Sequence, residues 1–331
     1  MGVRVTPECD TLSSFVICDR PGIQTDAVTT FDGENYIVVW SDSRFIGYES
    51  RLVATRVTPQ GVVLDTGFCI GATNDQGEYA PDIAFDNDQC LAIWYNVHEP
   101  FGVFGRFIDS SAQPQGPLIE IATASVNGNI NPRLEFDNNN YLVVWADQRF
   151  EGTDFDIYGQ RISPQGVLLG NKITIATGYE HQMYPDLTFD GNDFCVVWSE
   201  NDNQIRGQWV SISGQLIGTN FLISDDTLYY RFRPRIATSN SHYCVCWSEI
   251  RSSDQDIYGT VDIQSSIEEV LPMSVSYQGP TIISGPLILP EGKECTVYDI
   301  SGRTLAIDRL IPGVYFIEIN GRIIQKVIKI R

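Results

Sequence analysis

The chain of 331 residues is 43% hydrophobic and 19% charged, which is enough apolar material for a buried core and excludes a mainly disordered protein. Its 22 Lys and Arg residues against 42 Asp and Glu residues give a formal net charge of -20, which repels phosphate backbones and anionic lipid surfaces. No stretch approaches the ~18 consecutive apolar residues that cross a bilayer. We therefore expect neither nucleic acid as a partner nor direct insertion into a membrane.

One long unit repeats along most of the chain. Its clearest segment is Phe31-Asp-Gly-Glu-Asn-Tyr-Ile-Val-Val-Trp40. Three later copies repeat this segment with variations, and a degenerate fifth copy ends at Trp247. The tryptophans that end these segments lie 49 to 54 residues apart, which is too long for helical hairpin repeats and fits four strands with their turns. These tryptophans are Trp40, Trp94, Trp145, Trp198 and Trp247.

Each repeat predicts a four-stranded sheet. An Asp-Gly or Asp-Asn turn, such as Asp32-Gly33, joins the first strand to the second. The second strand is apolar at consecutive positions, as from Tyr141 to Trp145, so both of its faces must be covered. Sheets that cover each other's faces in this way predict an all-β fold, a five-bladed β-propeller.

The propeller is predicted over residues 1–264. Its fifth copy stops after a third strand near Gln264, and residues 15–17 match a fourth strand, so an N-terminal strand would complete the last blade and hide its edge. Residues 2–7 also resemble the end of a third strand, which leaves six blades open as an alternative. A linker is predicted over residues 265–286, and apolar alternation between Gly turns predicts a small β-sandwich over residues 287–331.

The last part of the chain carries three motifs in order: Val297-Tyr-Asp-Ile-Ser-Gly-Arg303, Leu310-Ile-Pro-Gly-Val-Tyr-Phe-Ile317 and a final strand that contains a lysine. They resemble the type A C-terminal sorting domain of the type IX secretion system. The resemblance implies the secretion machinery as a partner and a location outside the cell or on the outer surface of a Gram-negative-type bacterium. A plain β-sandwich that caps the propeller is the alternative. The residues assigned to the sorting module by this resemblance are Gly302, Arg303, Gly313, Tyr315 and Lys326.

The loops after the tryptophans carry the candidate binding residues. In an up-and-down blade they open on the same face as the loops between blades, so carboxylates, guanidinium groups and aromatic rings would gather there. Such groups suit hydroxyl-rich ligands such as glycans. The alternative is that each Asp-x-Arg pair fixes its own loop. The candidate ligand-binding residues are Asp42, Arg44, Asp147, Arg149, Glu200, Glu249, Arg251, Tyr184 and Tyr230.

No catalytic residue, metal or cofactor is predicted. A glycoside hydrolase needs two unique carboxylates near the propeller axis, whereas the candidate carboxylates occupy equivalent repeat positions. Asp147, Asp154 and Asp156 could donate oxygens to Ca²⁺, but their spacing matches no defined calcium loop. Four cysteines could form disulfides in an oxidising compartment, in pairs that the sequence leaves open. They are Cys9, Cys18, Cys69 and Cys295.

Together these patterns predict a secreted or cell-surface, non-catalytic binding protein whose partner is a glycan or another surface polymer. The propeller resembles uncharacterised bacterial extracellular propeller repeats and, in blade number alone, five-bladed lectins. One alternative is a scaffold protein of the cell envelope or extracellular matrix that forms homo-oligomers. The other is a glycoside hydrolase.

Overall fold

The chain divides into two compact units, Met1–Ile267 and Glu268–Arg331. All regular elements of the described residues are strands, so none of them is a helix that could span a membrane. The computed structural model describes residues 1–6, 10–44, 50–71, 77–123, 129–148, 154–178, 180–224, 229–239, 242–251, 254–261, 281–283, 295–299, 304–305, 310, 313–319 and 322–329.

The chain begins with a hairpin, in which β1 (Gly2–Val5) pairs with β2 (Thr11–Phe15). Phe15, Ile17 and Cys18 pack against a buried cluster that contains Trp40 of the first blade. Of residues 15–17, the segment predicted to complete the last blade, Phe15 ends β2 and pairs with Gly2 of β1, and Phe15 and Ile17 pack against the first blade.

The first unit is a five-bladed β-propeller, as the repeats predict. Its first four blades are sheets of four antiparallel strands, and the fifth has three paired strands among the described residues. The first blade contains β3 (Gln24–Phe31), β4 (Tyr36–Asp42), β5 (Arg51–Val57) and β6 (Phe68–Cys69). The second contains β7 (Glu78–Phe85), β8 (Cys90–Asn96), β9 (Gly102–Ile108) and β10 (Pro114–Thr123). The third contains β11 (Asn129–Phe136), β12 (Tyr141–Asp147), β13 (Asp156–Ile162) and β14 (Leu168–Ala176). The fourth contains β15 (Gln182–Phe189), β16 (Asp193–Glu200), β17 (Gln204–Ser211) and β18 (Leu216–Leu222), and the fifth contains β19 (Tyr230–Ser239), β20 (His242–Arg251) and β21 (Asp254–Val261).

Buried apolar clusters join neighbouring blades. In the third blade, Val143 and Trp145 pack towards the second blade, whereas Leu142 and Val144 pack towards the fourth. All four side chains are fully buried. This two-sided burial explains why the second strand of each repeat is apolar at consecutive positions.

The two faces of the fifth blade are buried to different extents. Val245 and Trp247 pack against the fourth blade. On the adjacent strand, Ile257 is 72% exposed, whereas the equivalent Ile157 of the third blade is 0% exposed. The fifth blade therefore presents apolar surface to solvent at the end of the series.

A β-bulge interrupts the innermost strand of every blade at the same place. The bulge begins with a residue in the left-handed region, with φ between 47° and 55°, and proline follows it in four of the five blades. A bulge accommodates proline and re-aims the side chains that follow it. The five left-handed residues are Asp26, Ala80, Asn131, Tyr184 and Arg233.

The described residues of the second unit form the strands β22 (Thr281–Ile283), β23 (Cys295–Asp299), β24 (Thr304–Leu305), β25 (Gly313–Ile319) and β26 (Arg322–Lys329). They make one five-stranded sheet in the order β22-β26-β25-β23-β24, in which β22 and β26 are parallel. Gly313 and Tyr315 of the predicted sorting module lie in β25 and Lys326 lies in β26, while Gly302 and Arg303 lie outside the described residues.

Candidate active site

Asp42, a predicted ligand-binding residue, contacts the tryptophan that ends its own strand. It is fully buried, accepts a hydrogen bond from Trp40 Nε1 at 2.8 Å and forms an ion pair with Arg44. Burial favours the neutral carboxyl, but hydrogen bonds from Arg44 and Trp40 outweigh it and lower the pKa of Asp42. This carboxylate is therefore held within its own blade.

Glu249 of the fifth blade has the same environment. It is 1% exposed and accepts hydrogen bonds from Trp247 Nε1 at 3.1 Å, Arg231 Nε at 2.7 Å and Arg251 Nε at 2.5 Å. Burial would raise its pKa, but the bonds from Arg231 and its other donors lower the pKa of Glu249 overall. Because Arg231 is itself 1% exposed, the Glu249–Arg231 pair is a buried ion pair.

Glu200 and Asp147 occupy the same position in the fourth and third blades. Glu200 lies 3.5 Å from Trp198 Nε1 and 2.5 Å from Arg206 Nε, and burial raises its pKa. Asp147 is fully buried, and Arg149 lies outside the described residues. Asp42, Asp147, Glu200 and Glu249 do not line the cavity that the innermost strands surround at the propeller axis.

The innermost strands of all five blades surround an axial cavity of about 600 Å³. The second residue after each bulge residue contributes to its wall, and the chemical type of this residue changes from blade to blade. We call these five positions the axial ring. They are Val28, Asp82, Arg133, Asp186 and Arg235.

Backbone amides of neighbouring blades hold the two aspartates of the axial ring. Asp82 accepts hydrogen bonds from the backbone N–H of Leu134 at 2.9 Å and of Ile83 at 3.0 Å. Asp186 accepts one from the N–H of Ile236 at 2.9 Å, and its Oδ1 lies 3.8 Å from Arg133 Nε. Each aspartate thus connects its own innermost strand to that of the next blade.

A third carboxyl group, Glu135, lies two residues beyond Arg133 on the same strand and also lines the cavity. Burial raises the pKa of Glu135 to about 7, and the negative charge of Asp82 makes a smaller contribution in the same direction. Burial raises the pKa of Asp186 to about 6, against the opposing charge of Arg235. Burial also raises the pKa of Asp82, against the charge of Arg133. Carboxyl groups whose pKa values are raised in one cavity are typical of acid–base catalysis.

At the bulge end of the axis lies a second cavity of about 210 Å³, which we call the axial mouth. Arg133 and Arg235 line both cavities, and Arg233 and Tyr184 line the mouth. Tyr184 is the predicted binding residue that the structure brings to the axis, whereas Tyr230 is 64% exposed and lines neither cavity.

Within the described part of the chain, no cluster of three or more His, Cys, Asp or Glu side chains is arranged to hold a metal ion. Of the acidic residues considered for calcium, Asp154 lies 3.4 Å from His181 Nε2, and Asp156 accepts a hydrogen bond from the Tyr158 hydroxyl at 3.2 Å. Cys18 and Cys69 are free thiols, and Cys9 lies outside the described residues.

The sequence interpretation missed the carboxyl groups of the axial ring, although the sequence contains a signal for them. Four innermost strands carry a proline, and the residue after it alternates between acidic and basic: Pro81-Asp82, Pro132-Arg133, Pro185-Asp186 and Pro234-Arg235. A repeat that changes its charge at one fixed position indicates a position with a role other than building the blade.

No family model matches the chain, and no curated protein matches it. Solved structures are similar to it at low sequence identity. An endo-arabinase from Bacteroides thetaiotaomicron is 14% identical, over 77% of this chain and 99% of that chain, with a TM-score of 0.48. An arabinanase from Bacillus subtilis is 13% identical, over 72% of this chain and 92% of that chain, with a TM-score of 0.43. An exo-β-1,3-galactanase from Phanerochaete chrysosporium is 10% identical, over 78% and 63%, with a TM-score of 0.47.

The prediction of a non-catalytic binding protein, with a scaffold protein as its alternative, is wrong. It rested on the lack of unique carboxylates near the axis, and the structure places Asp82, Glu135 and Asp186 there. The solved structures to which the chain is similar are named as a family-43 glycoside hydrolase, an endo-arabinase and an arabinanase.

Proposed function

We propose that the protein is a glycoside hydrolase whose active site is the axial cavity. The observation that carries this proposal is the convergence of Asp82, Glu135 and Asp186 on one cavity, with the pKa values of Glu135 and Asp186 raised to about 7 and about 6. Glycosidic bonds are commonly hydrolysed by two carboxyl groups, one protonated and one ionised. The cavity volume of about 600 Å³ is in the range of small-ligand sites.

The two pKa values assign the roles. Between pH 6 and 7, Glu135 is mostly protonated and Asp186 mostly ionised. Glu135 therefore donates its proton to the glycosidic oxygen as the bond to the sugar breaks, and the Asp186 carboxylate accepts a proton from the attacking water. Asp82 is a positioning residue, because it accepts a hydrogen bond from the N–H of Leu134, next to Glu135, and contributes to the raised pKa of Glu135.

Release of reducing ends from a panel of neutral and acidic polysaccharides tests this proposal with the full chain. We expect release from at least one polysaccharide, and we expect Glu135→Gln to reduce it by about 10²- to 10⁴-fold, which is the usual contribution of a general acid. The exposed residue Asp254 lines neither cavity, so Asp254→Asn is the matched control and should retain full activity. Equal release by the wild type and Glu135→Gln would refute the assignment.

We also propose that the second unit is a sorting domain and that the protein is exported to the outer cell surface or the medium. Support comes from the ordered motifs and from the position of Gly313 and Tyr315 in one strand of a compact sheet. The test is expression of the full chain in a bacterium with a type IX secretion system. The protein should reach the medium or outer surface, and deletion of residues 287–331 should retain it in the periplasm.

A further inference from the structure

The axial mouth is lined by three arginines in a strongly acidic protein. The chain has a net charge of -20, yet Arg133, Arg233 and Arg235 meet at a cavity in which Asp26 is the acidic lining residue. We infer that the axial mouth binds the anionic group of an acidic glycan. This inference rests on the proposed function and specifies its substrate class.

The guanidinium groups are close enough to influence each other. Burial lowers the pKa of Arg235, and the positive charges of Arg133 and Arg233 lower it further, against the opposing charges of Asp186 and Asp82. Like charges at one cavity repel each other, and a bound anion relieves this repulsion. The mouth is therefore electrostatically complementary to a carboxylate or a sulfate ester, whereas most of the protein surface repels them.

Arg133 and Arg235 each have guanidinium N–H groups that can bind a ligand. One N–H of Arg133 bonds to the carbonyl oxygen of Pro132 at 2.9 Å, and one N–H of Arg235 bonds to that of Pro234 at 3.1 Å. A guanidinium group carries five N–H donors in a planar fork that matches the two oxygens of a carboxylate. These backbone contacts orient the forks and use one donor of each.

Arg233 and Tyr184 complete the mouth from two neighbouring blades. The Arg233 guanidinium lies over the Tyr184 ring at 5.6 Å from its centroid, and both residues have a positive φ, of 54° and 55°. The bulge residue of every blade has this backbone conformation, and in the fourth and fifth blades the residue carries a large side chain that lines the mouth. A tyrosine ring also provides a flat surface on which a sugar ring can stack.

Continuity between the two cavities connects the anion to the reaction. Because Arg133 and Arg235 line both cavities, a sugar whose acidic group lies in the mouth extends its neighbouring linkage into the axial cavity with Glu135 and Asp186. A uronic acid or a sulfated sugar next to the cleaved bond satisfies this arrangement. We therefore expect acidic oligosaccharides to bind better than their neutral counterparts.

Calorimetric binding to the full-length Glu135→Gln variant separates this inference from the catalytic proposal. The probes are oligogalacturonates, alginate oligosaccharides and carrageenan oligosaccharides, each compared with its carboxyl-reduced or desulfated counterpart. We expect at least one acidic probe to bind about tenfold or more tightly than its neutral counterpart, with an affinity that falls as salt rises. The uronate and sulfate probes show which anion is preferred.

Adding Arg233→Ala should weaken binding of that acidic probe about tenfold and leave the neutral counterpart unchanged. Ala80 has a φ of 47° at the equivalent position of the second blade, so alanine is compatible with the backbone there. The exposed Arg20 lines neither cavity, and Arg20→Ala, which removes the same charge, should bind like the parent.

Each result decides one proposal. Three binding results would overturn the inference. They are equal affinity for acidic and neutral probes, a loss of affinity in Arg20→Ala as large as that in Arg233→Ala, and no binding of any acidic probe. Hydrolysis of neutral glycans alone would overturn it and leave the proposed function standing. Tight, Arg233-dependent binding of acidic probes by a protein that cleaves no polysaccharide of the neutral and acidic panel would support the mouth as an anion site and refute the proposed function.

Discussion

Two sets of equivalent positions in the five blades differ in how much they vary. At the second residue after each tryptophan, every blade has a side chain that can accept a hydrogen bond: Asp42, Asn96, Asp147, Glu200 and Glu249. At the axial ring, the blades have one apolar, two acidic and two basic residues. The positions that the repeat retains build the blades, whereas the position at which the blades differ creates a site without five-fold symmetry.

The largest effect is expected from removing a charge at the axial ring. Asp186→Asn should lower kcat/KM by about 10²- to 10⁴-fold because it removes the base that activates water, and it should leave the fold intact. Hydrolysis kinetics and the thermal unfolding midpoint measure both properties. Asp42→Asn makes the same chemical change beside Trp40 and should alter stability alone; a loss of activity as large as that of Asp186→Asn would contradict the comparison.

Breaking the buried ion pair of the fifth blade should have the next largest effect. Glu249→Ala leaves Arg231 buried without its carboxylate, which should lower the free energy of unfolding by about 3 to 5 kcal/mol. Urea denaturation followed by tryptophan fluorescence measures the change. The exposed residue Asp254 of the same blade provides the control, because Asp254→Ala should change stability by less than about 0.5 kcal/mol. Equal stability of the two variants would refute the structural role of Glu249.

Glu135 in the axial cavity and the carboxylates Asp42 and Glu249 beside the tryptophans should also respond to pH with opposite signs. Glu135 has a raised pKa in the folded protein, so its contribution to stability is present below its ordinary pKa of 4.5 and is lost as pH rises through about 7. Glu135→Gln should therefore be more stable than the wild type at pH 8, by up to about 3 kcal/mol, and equally stable at pH 4. Asp42 and Glu249 have lowered pKa values, so their contribution is lost as pH falls below the ordinary carboxyl range. Urea denaturation at pH 4, 6 and 8 measures these effects, and an unchanged difference between variant and wild type across this range would contradict them.

The smallest effect on stability is expected at Asn96, the neutral residue among the five side chains that lie two positions after a tryptophan. Asn96 accepts a hydrogen bond from Trp94 Nε1 at 3.0 Å, and both residues are buried. Asn96→Ala leaves that N–H unsatisfied and should cost about 1 to 3 kcal/mol. Asn96→Asp keeps an acceptor and should recover part of the loss in the same unfolding measurement.

The repeats could predict the blades because their signals are local. The Asp-Gly and Asp-Asn turns are an example: Asp32 Oδ1 accepts hydrogen bonds from the backbone N–H groups of Glu34 and Asn35, and Asp137 Oδ1 does the same for Asn139 and Asn140. Such bonds span two or three residues, so the residue types alone indicate them. The consecutive apolar positions of the second strand similarly predicted burial on both faces.

The site depends on contacts that sequence spacing does not reveal. Asp82 and Glu135 are 53 positions apart in the chain, and they line one cavity because the innermost strands of the second and third blades pack side by side. Burial raises the pKa values of both residues, and the charge of Asp82 raises that of Glu135 further; both effects are properties of the assembled propeller. The loop carboxylates repeat from blade to blade, and the contacts of Asp42 and Glu249 show that such carboxylates bind donors of their own blade.

The pH dependence of kcat/KM for glycan hydrolysis by the full chain tests the central claim most directly. A bell-shaped profile is predicted, with an acidic limb near pH 6 from Asp186 and a basic limb near pH 7 from Glu135, and Glu135→Gln should abolish the basic limb in its residual activity. A profile that is flat from pH 5 to 8, or one that Glu135→Gln leaves unchanged, would contradict the claim that the axial carboxyl groups carry out the reaction.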